Sequence, residues 1–253
     1  MRVCFLGTGT SQGVPIIGCS CEVCRSADPR NVRVRPSVWI ELDGRHIVID
    51  TPAEFRLQAI RFGLPRLDAL LYTHAHADHV FGIDDIRRFN QMQREVIPLY
   101  ASEETLASLE RSFGYIFDRS IESWAVPKAE ARRISGPFQL WGQEVEPLLV
   151  WHGRMPVTAF RIGGFAYVTD CSEIPAETQE ALQGLDLLVL GALRHRPHPT
   201  HFSIQQALAA IEALAPRRAL LTHLSHEVDH EKTEAELPEH VRLAYDGLTV
   251  DVP

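Results

Sequence analysis

Short apolar runs, bounded by glycine, proline or acidic residues, recur along the chain and predict β-strands. In the first half they are Val3–Leu6, Ser37–Leu42, His46–Asp50, Leu67–Tyr72 and Pro98–Tyr100. In the second half they are Val145–Trp151, Thr158–Ile162, Ala166–Thr169, Leu185–Leu190 and Ala219–Thr222. The pairs Asp43-Gly44 and Gly163-Gly164 favour tight turns, so two of these connections are predicted to be hairpins.

Helical spacing appears between the strands. It predicts helices over Ala53–Phe62, Val80–Gln93 and Ile204–Leu214, and a further helix capped by Ser102. Asp246-Gly247 predicts a last hairpin between Val241–Tyr245 and Leu248–Val252. Two β-rich halves, each with helices, indicate an α+β protein: a four-layer αβ/βα sandwich formed by one domain over residues 1–253.

Net charge, hydrophobic content and cysteine count limit the classes of function that the chain can have. The chain has 253 residues, 45% of them hydrophobic, and a formal net charge of −8. The charge argues against binding long nucleic acid by phosphate neutralisation, whereas a small anionic substrate is compatible if a metal supplies positive charge. No apolar run resembles a signal peptide or a membrane span, so a cytoplasmic protein is predicted. Five cysteines, three of them clustered, fit a reduced compartment with a metal site.

The densest chemistry lies in Thr73–His79, directly after a predicted strand. His74, His76, Asp78 and His79 place three imidazoles and one carboxylate within six residues. In an extended segment His74 and His76 point the same way, while Asp78 and His79 enter the next helix and point elsewhere. One loop can therefore supply ligands to two adjacent ions.

Three later strands each end in a residue that can bind a metal. These residues are His152, Asp170 and His223. Asp50 also ends a strand, where two roles remain open: orienting a ligand histidine, or capping the following helix.

A second cluster comprises Cys19, Cys21 and Cys24. Two short gaps let three thiolates converge on one tetrahedral ion, typically zinc. The fourth ligand is not local, and Cys4 and Cys171 are alternatives to a more distant histidine.

The histidine loop resembles the signature of the metallo-β-lactamase superfamily. That resemblance implies the metallohydrolase fold and a dinuclear site: His74, His76 and His152 on one ion, Asp78, His79 and His223 on the other, and Asp170 bridging. Two cations about 3.5–4 Å apart can hold a bridging hydroxide and stabilise charge on the attacked centre, so hydrolysis is expected. Zinc, manganese and iron all suit these ligands.

Within the superfamily the chain is similar to the PhnP family of phosphodiesterases from the carbon–phosphorus lyase pathway. The similarity lies in Gly7-Thr8-Gly9, Gln12-Gly13-Val14-Pro15, the cysteine loop, Thr200-His201 and Leu221–His226. It implies a small phosphodiester substrate, including cyclic ones. It also implies a structural zinc held by Cys19, Cys21, Cys24 and His226. The implied catalytic residues are Asp78 and His201, with His201 acting as a proton donor to the leaving alkoxide or as a phosphate contact.

Other interpretations remain open at this stage. The same fold supports lactonases, thioesterases and RNA-processing enzymes, and a metal-binding protein without hydrolytic activity is a further alternative. Arg194 and Arg196 are candidate phosphate contacts, and His195 and His198 are expected at the surface. The aromatic region Phe113–Trp141 could form a flap or a homodimer contact, although core packing is the favoured interpretation.

Overall fold

A computed structural model describes residues 1–253 and shows two seven-stranded sheets. The strands are β1 (Arg2–Gly7), β2 (Ser37–Leu42), β3 (Arg45–Ile49), β4 (Ala69–Leu71), β5 (Ile97–Ala101), β6 (Ala129–Arg133), β7 (Phe138–Leu140), β8 (Gln143–His152), β9 (Met155–Ile162), β10 (Phe165–Val168), β11 (Leu187–Gly191), β12 (Ala219–Thr222), β13 (Val241–Leu243) and β14 (Thr249–Asp251). The first sheet has the order β14-β1-β2-β3-β4-β5-β6, and the second β13-β12-β11-β10-β9-β8-β7.

Helices lie on the outer face of each sheet. They are α1 (Phe55–Phe62), α2 (Ala77–Val80), α3 (Arg87–Gln93), α4 (Glu103–Phe117), α5 (Ala176–Ala181), α6 (Ile204–Leu214) and α7 (His230–Glu234). Three short 3₁₀ turns cover Val23–Arg25, Pro29–Asn31 and Ile83–Ile86. No helix is both long enough and apolar enough to cross a bilayer.

Three apolar clusters separate the four layers. Side chains of both sheets meet in the central one, where Phe5 and Ile40 of the first sheet join Phe160 and Tyr167 of the second. A second cluster packs α6 against the outer face of one sheet, and a third packs α1 and α4 against the other. The predicted four-layer α+β sandwich is therefore confirmed. Each fully buried Leu, Ile, Val or Phe side chain in these clusters contributes about 1.5–3 kcal/mol to the stability of the fold.

Most predicted elements are present, and α6 and β12 have the predicted bounds. Ser102 caps α4 by accepting a hydrogen bond from the Thr105 amide. The predicted hairpins around Asp43-Gly44 and Gly163-Gly164 also form.

The continuous helix predicted over Val80–Gln93 is wrong. The segment is instead divided among α2, a 3₁₀ turn and α3. Thr51 explains the break, because its amide donates to the His79 carbonyl and its own carbonyl accepts from the Gly82 amide. A Cβ at position 82 would lie 2.0 Å from the Pro52 carbonyl oxygen. The glycine thus allows the neighbouring loop to take the hydrogen bonds that a helix would have used.

The last predicted hairpin is also wrong. Its two strands enter different sheets: β13 pairs with β12 in parallel, and β14 pairs antiparallel with β1. The Asp246 carboxylate accepts hydrogen bonds from the amides of Thr8 and Val34. Asp246-Gly247 therefore connects the two sheets, and the acidic side chain holds this connection in place.

Candidate metal centre

The candidate ligands lie where strands of the two sheets end along one edge. Asp50 follows β3, His152 ends β8, and Asp170 and His223 follow β10 and β12. Asp50, Asp170 and His223 have positive φ angles of 64°, 50° and 61°. Left-handed backbone is costly for residues with a Cβ and tends to occur at functional sites, so the surrounding structure must hold these three turns.

The histidine loop follows β4 and begins α2. His76 is the N-cap residue of α2, so Asp78 and His79 occupy its first turn while His74 remains in the extended segment. The loop therefore changes from extended to helical backbone between His74 and Asp78. Asp78 and His79 are buried together with His74, whereas His76 is exposed.

Fold and loop together bring the predicted ligands into one histidine–aspartate cluster. Ligand atoms lie within 4.8 Å of one another in three groups, and Asp170 belongs to all three: Asp78, His79, Asp170 and His223; His74, His76 and Asp170; His152, Asp170 and His201. Asp170 therefore lies centrally between the two halves of the cluster, as a bridging ligand must.

Most nitrogen–oxygen distances within the cluster are longer than direct hydrogen bonds. His74 Nε2 lies 3.7 Å from Asp170 Oδ2, and His79 Nε2 lies 3.5 Å from Asp170 Oδ1. His223 Nε2 lies 3.1 Å from Asp170 Oδ1 and 3.6 Å from Asp78 Oδ2. The Nε2 atoms of His74, His79 and His223 are buried and have no hydrogen-bond partner.

Such orphaned nitrogens beside carboxylates fit divalent cations. A buried polar atom without a partner is costly, and a metal coordinated by imidazole and carboxylate removes that cost. His74, His76, Asp78, His79, His152, Asp170 and His223 are the residues that would hold such ions.

Buried imidazoles and carboxylates in this cluster shift one another's pKa values. Burial lowers the pKa of His74 well below its ordinary value. Burial opposes ionisation of Asp170, yet His223 and His79 hold its pKa well below the usual range. For His79, burial opposes protonation, but the Asp170 and Asp50 carboxylates raise the pKa well above the ordinary value. Bound divalent cations would balance the charge of these carboxylates in place of protonated histidines.

Hydrogen bonds to the second ring nitrogen orient three of the histidines. His79 Nδ1 lies 2.7 Å from Asp50 Oδ2, and His74 Nδ1 lies 2.9 Å from the Thr73 hydroxyl. His152 Nδ1 donates to the carbonyl of Thr200 at 2.7 Å. Each contact leaves Nε2 free to face the cluster.

These contacts decide between the two roles considered for Asp50. Its carboxylate orients His79, while Glu54 occupies the N-cap position of α1, so the capping interpretation is wrong. Thr73 is an orienting residue that was not predicted. Its position directly before His74 is the only signal for this role in the sequence.

The cysteine cluster forms as the family resemblance implied. His226 Nδ1 lies 3.3, 3.4 and 3.7 Å from the sulfurs of Cys19, Cys21 and Cys24. The Cys24 amide is the main cause of a lowered pKa at Cys21, about 6. Cys4 and Cys171 are buried outside this group. Three sulfurs and one nitrogen within ligand distance fit a tetrahedral soft-metal site.

His201 lies against the histidine–aspartate cluster. Its ring centroid is 4.4 Å from that of His152 and 4.9 Å from that of His223. Burial, followed by the neighbouring His223, lowers the pKa of His201 to about 3. The ring is therefore neutral at pH 7 and offers a single N–H donor.

The neighbouring basic residues are arranged differently from expectation. Arg194 and Arg196 both pair with the Glu227 carboxylate. His195 is exposed and lies 3.1 Å from the Thr233 hydroxyl, but His198 is only partly exposed, with its ring centroid 5.2 Å from that of His201.

The aromatic region serves mainly in packing. Phe113 and Phe138 pack against two of the apolar clusters. Trp124 lies under the charged ends of Arg94 and Lys128, while Trp141 is 45% exposed. A cavity of about 560 Å³ lies between α1 and α3 and includes no member of either cluster. The donor chemistry, rather than cavity size, therefore identifies the candidate site.

Fold and donor set together define a metallohydrolase architecture. The family model of the β-lactamase superfamily domain matches residues 45–224. The chain belongs to the metallo-β-lactamase superfamily.

Comparison with individual proteins refines this placement. A crystal structure described as a new diphosphatase from the PhnP family is 41% identical, with a TM-score of 0.93, over 100% of this chain and 98% of that one. Zinc-bound PqqB from Methylobacterium extorquens shares the fold, at 21% identity and a TM-score of 0.79 over the full length of both chains.

Among curated proteins, an octanoyltransferase from Porphyromonas gingivalis is 40% identical over 98% of this chain and 51% of its own length. Coenzyme PQQ synthesis protein B from Rhodopseudomonas palustris is 30% identical over 65% of this chain and 53% of its own length. The chain thus spans about half the length of these curated relatives.

Proposed function

We propose that this protein is a metal-dependent phosphodiesterase acting on small phosphodiesters, including cyclic ones. The observation that carries the proposal is the position of His201 beside His152 and Asp170, within ligand distance of the cluster yet outside the predicted dinuclear set. Full-length similarity to a PhnP-family diphosphatase supports phosphorus as the attacked centre. The net charge of −8 favours a small substrate over long nucleic acid.

In this proposal, two divalent ions, zinc or manganese with iron as an alternative, are held by the histidine–aspartate cluster, and one zinc by the cysteine cluster. Bound ions would supply an activated water and stabilise the charge on the phosphoryl oxygens. Asp78 and Asp170 contribute negative charge that retains the ions. Thr73 and Asp50 fix the imidazole rings.

His201 handles the leaving group. As a neutral ring it directs its N–H at a phosphoryl or leaving oxygen. An alkoxide is a poor leaving group unless it is protonated or hydrogen-bonded, and a hydrogen bond to a charged oxygen is worth about 1.5–3 kcal/mol. The contribution is smaller for a leaving group that is already a stable anion.

A second candidate is hydrolysis of a diphosphate linkage. It is favoured by the description of the 41% identical structure as a diphosphatase. It uses the same ions and differs in the leaving group, which is a phosphate instead of an alkoxide. Octanoyl transfer is not assigned to this chain, because the relative of that name is about twice as long as the matched region.

A substrate panel tests the proposal. Metal-reconstituted protein is assayed with an aryl phosphodiester, a 2′,3′-cyclic nucleotide, a diphosphate ester, a lactone, a β-lactam, an octanoyl thioester and a precursor tRNA. We expect kcat/KM to be highest for a small phosphodiester. Highest activity on the diphosphate ester selects the second candidate, while turnover of the lactone or thioester alone refutes both. Asp170→Asn protein is the inactive control.

A further inference from the structure

A cationic side chain is buried beside the cysteine cluster. Arg33 has no solvent exposure and is the largest fully buried side chain in the molecule. Its Nη1 donates to the carbonyl oxygens of Ser225 at 3.1 Å and Val228 at 2.9 Å. These two carbonyls lie on either side of His226, which faces the three sulfurs. The guanidinium therefore holds both ends of the turn that presents this ligand.

The rest of Arg33 connects to the other half of the cysteine cluster. Its backbone pairs with Val14 through two hydrogen bonds of 2.8 Å. Two residues further along, the Ile16 amide donates to Cys24 Sγ at 3.4 Å. Arg33 Nη2 donates to Asn31, whose oxygen also accepts from the His230 amide. One residue thus joins the cysteine loop to the histidine turn, although they are about 200 positions apart in sequence.

Burial of the Arg33 guanidinium lowers the stability of the fold unless another charge compensates it. The guanidinium donates only to neutral oxygens, and its Nε has no partner. Burial lowers the pKa of the guanidinium to about 10, even though the Asp246, Asp229 and Asp28 carboxylates act on it through space. Burying a cation without a directly hydrogen-bonded carboxylate is unfavourable, and an apolar side chain of similar size would generally be more stable. Three thiolates and one divalent ion, however, leave a net charge of −1. A fixed cation at the peptide group of His226 is placed to offset it.

We propose that Arg33 is the positioning residue of the cysteine-cluster metal site: it holds the His226 turn against the three thiolates and balances their charge. The proposal rests on metal binding by this cluster and not on the reaction catalysed by the protein. It also predicts selectivity between the two clusters. His223 is held separately, because Leu224 forms backbone hydrogen bonds with Thr8 and Thr10.

The test compares wild type, Arg33→Met, Arg33→Lys and Leu109→Ala. Leu109 is buried on α4, in the apolar cluster on the outer face of the first sheet, and belongs to neither metal cluster. Its truncation therefore controls for a general loss of stability. Two readouts are independent of activity. One is the rate of zinc release to a chromophoric chelator. The other is the near-ultraviolet thiolate-to-metal absorption of cobalt-substituted protein, which arises only from the cysteine cluster since the histidine–aspartate cluster contains no sulfur.

We expect Arg33→Met to release the cysteine-cluster ion about 10–100-fold faster, as is typical when an outer-shell partner of a ligand is lost. Its thiolate-to-cobalt absorption should weaken, Arg33→Lys should restore part of both signals, and Leu109→Ala should change neither. If Arg33→Met releases zinc at the wild-type rate and keeps the wild-type absorption, the proposal is wrong. If Arg33→Met does not fold, wild-type release and absorption in Arg33→Lys refute the proposal instead. The proposal is also wrong if Leu109→Ala releases zinc as fast as Arg33→Met, or if the cobalt-substituted wild type shows no thiolate-to-cobalt absorption.

Discussion

Replacing Asp50 by Asn should weaken metal binding without changing the shape of the site. Asp50 is fully buried, and its Oδ2 lies 2.8 Å from the Thr73 hydroxyl and 2.7 Å from His79 Nδ1. Its Oδ1 accepts from the Thr73 amide at 2.9 Å. If the new amide oxygen keeps the bond to the Thr73 amide, the NH₂ group faces His79 Nδ1.

That contact changes the tautomer of the ring. His79 Nδ1 must then accept a hydrogen bond, so the ring proton moves to Nε2, the atom that faces Asp78 and Asp170. A protonated nitrogen cannot bind a metal. Loss of the orienting carboxylate typically reduces metal affinity about 10–100-fold, equivalent to about 1.4–2.8 kcal/mol.

Competition with a chromophoric chelator measures this loss. Metal-free wild type and variant are titrated with zinc, and bound metal per chain is counted by mass spectrometry. Asp246→Asn is a matched control, because Asp246 is also buried and accepts three hydrogen bonds, from the Thr8 amide and hydroxyl and the Val34 amide, but touches no histidine. Wild-type affinity in Asp50→Asn, or an equal loss in Asp246→Asn, refutes the tautomer argument.

Three further predictions concern single side chains. His201→Ala should keep its metal content and lose most activity, about 10–100-fold, on alkyl esters with poor leaving groups, as expected for loss of a hydrogen bond to a charged oxygen; an equal loss across leaving groups of different pKa excludes the leaving-group role. Cys24→Ser should lose one metal ion per chain and retain those of the histidine–aspartate cluster, which elemental analysis would show, and full metal content would contradict the assignment. Burial, followed by Arg30 and Arg33, lowers the pKa of His230 to about 4. The neutral native ring therefore contributes stability above pH about 6.5 that is lost as the pH falls through 4, so the Tm advantage of wild type over His230→Gln should shrink across that interval. A constant advantage would show that His230 does not titrate in this way.

Local sequence carried much of the information about the fold. Alternating apolar runs and the capping serines at positions 102 and 203 specify strands and helices through contacts between near neighbours in the chain. The prediction failed where a distant segment supplied the decisive hydrogen bonds. Thr51 interrupts the helix after the histidine loop, and β14 joins the opposite sheet from β13.

The same division holds for the candidate site. The dense spacing of His74, His76, Asp78 and His79 was sufficient by itself to predict a metal-binding loop. Which remote residues complete it depends on where strands of the two sheets end. Only the tertiary structure places Asp170 within ligand distance of three separate groups, and only the tertiary structure shows Asp50 turned toward His79. Residues that are far apart in sequence have no local preference for one another, so their arrangement is decided by packing of the whole chain.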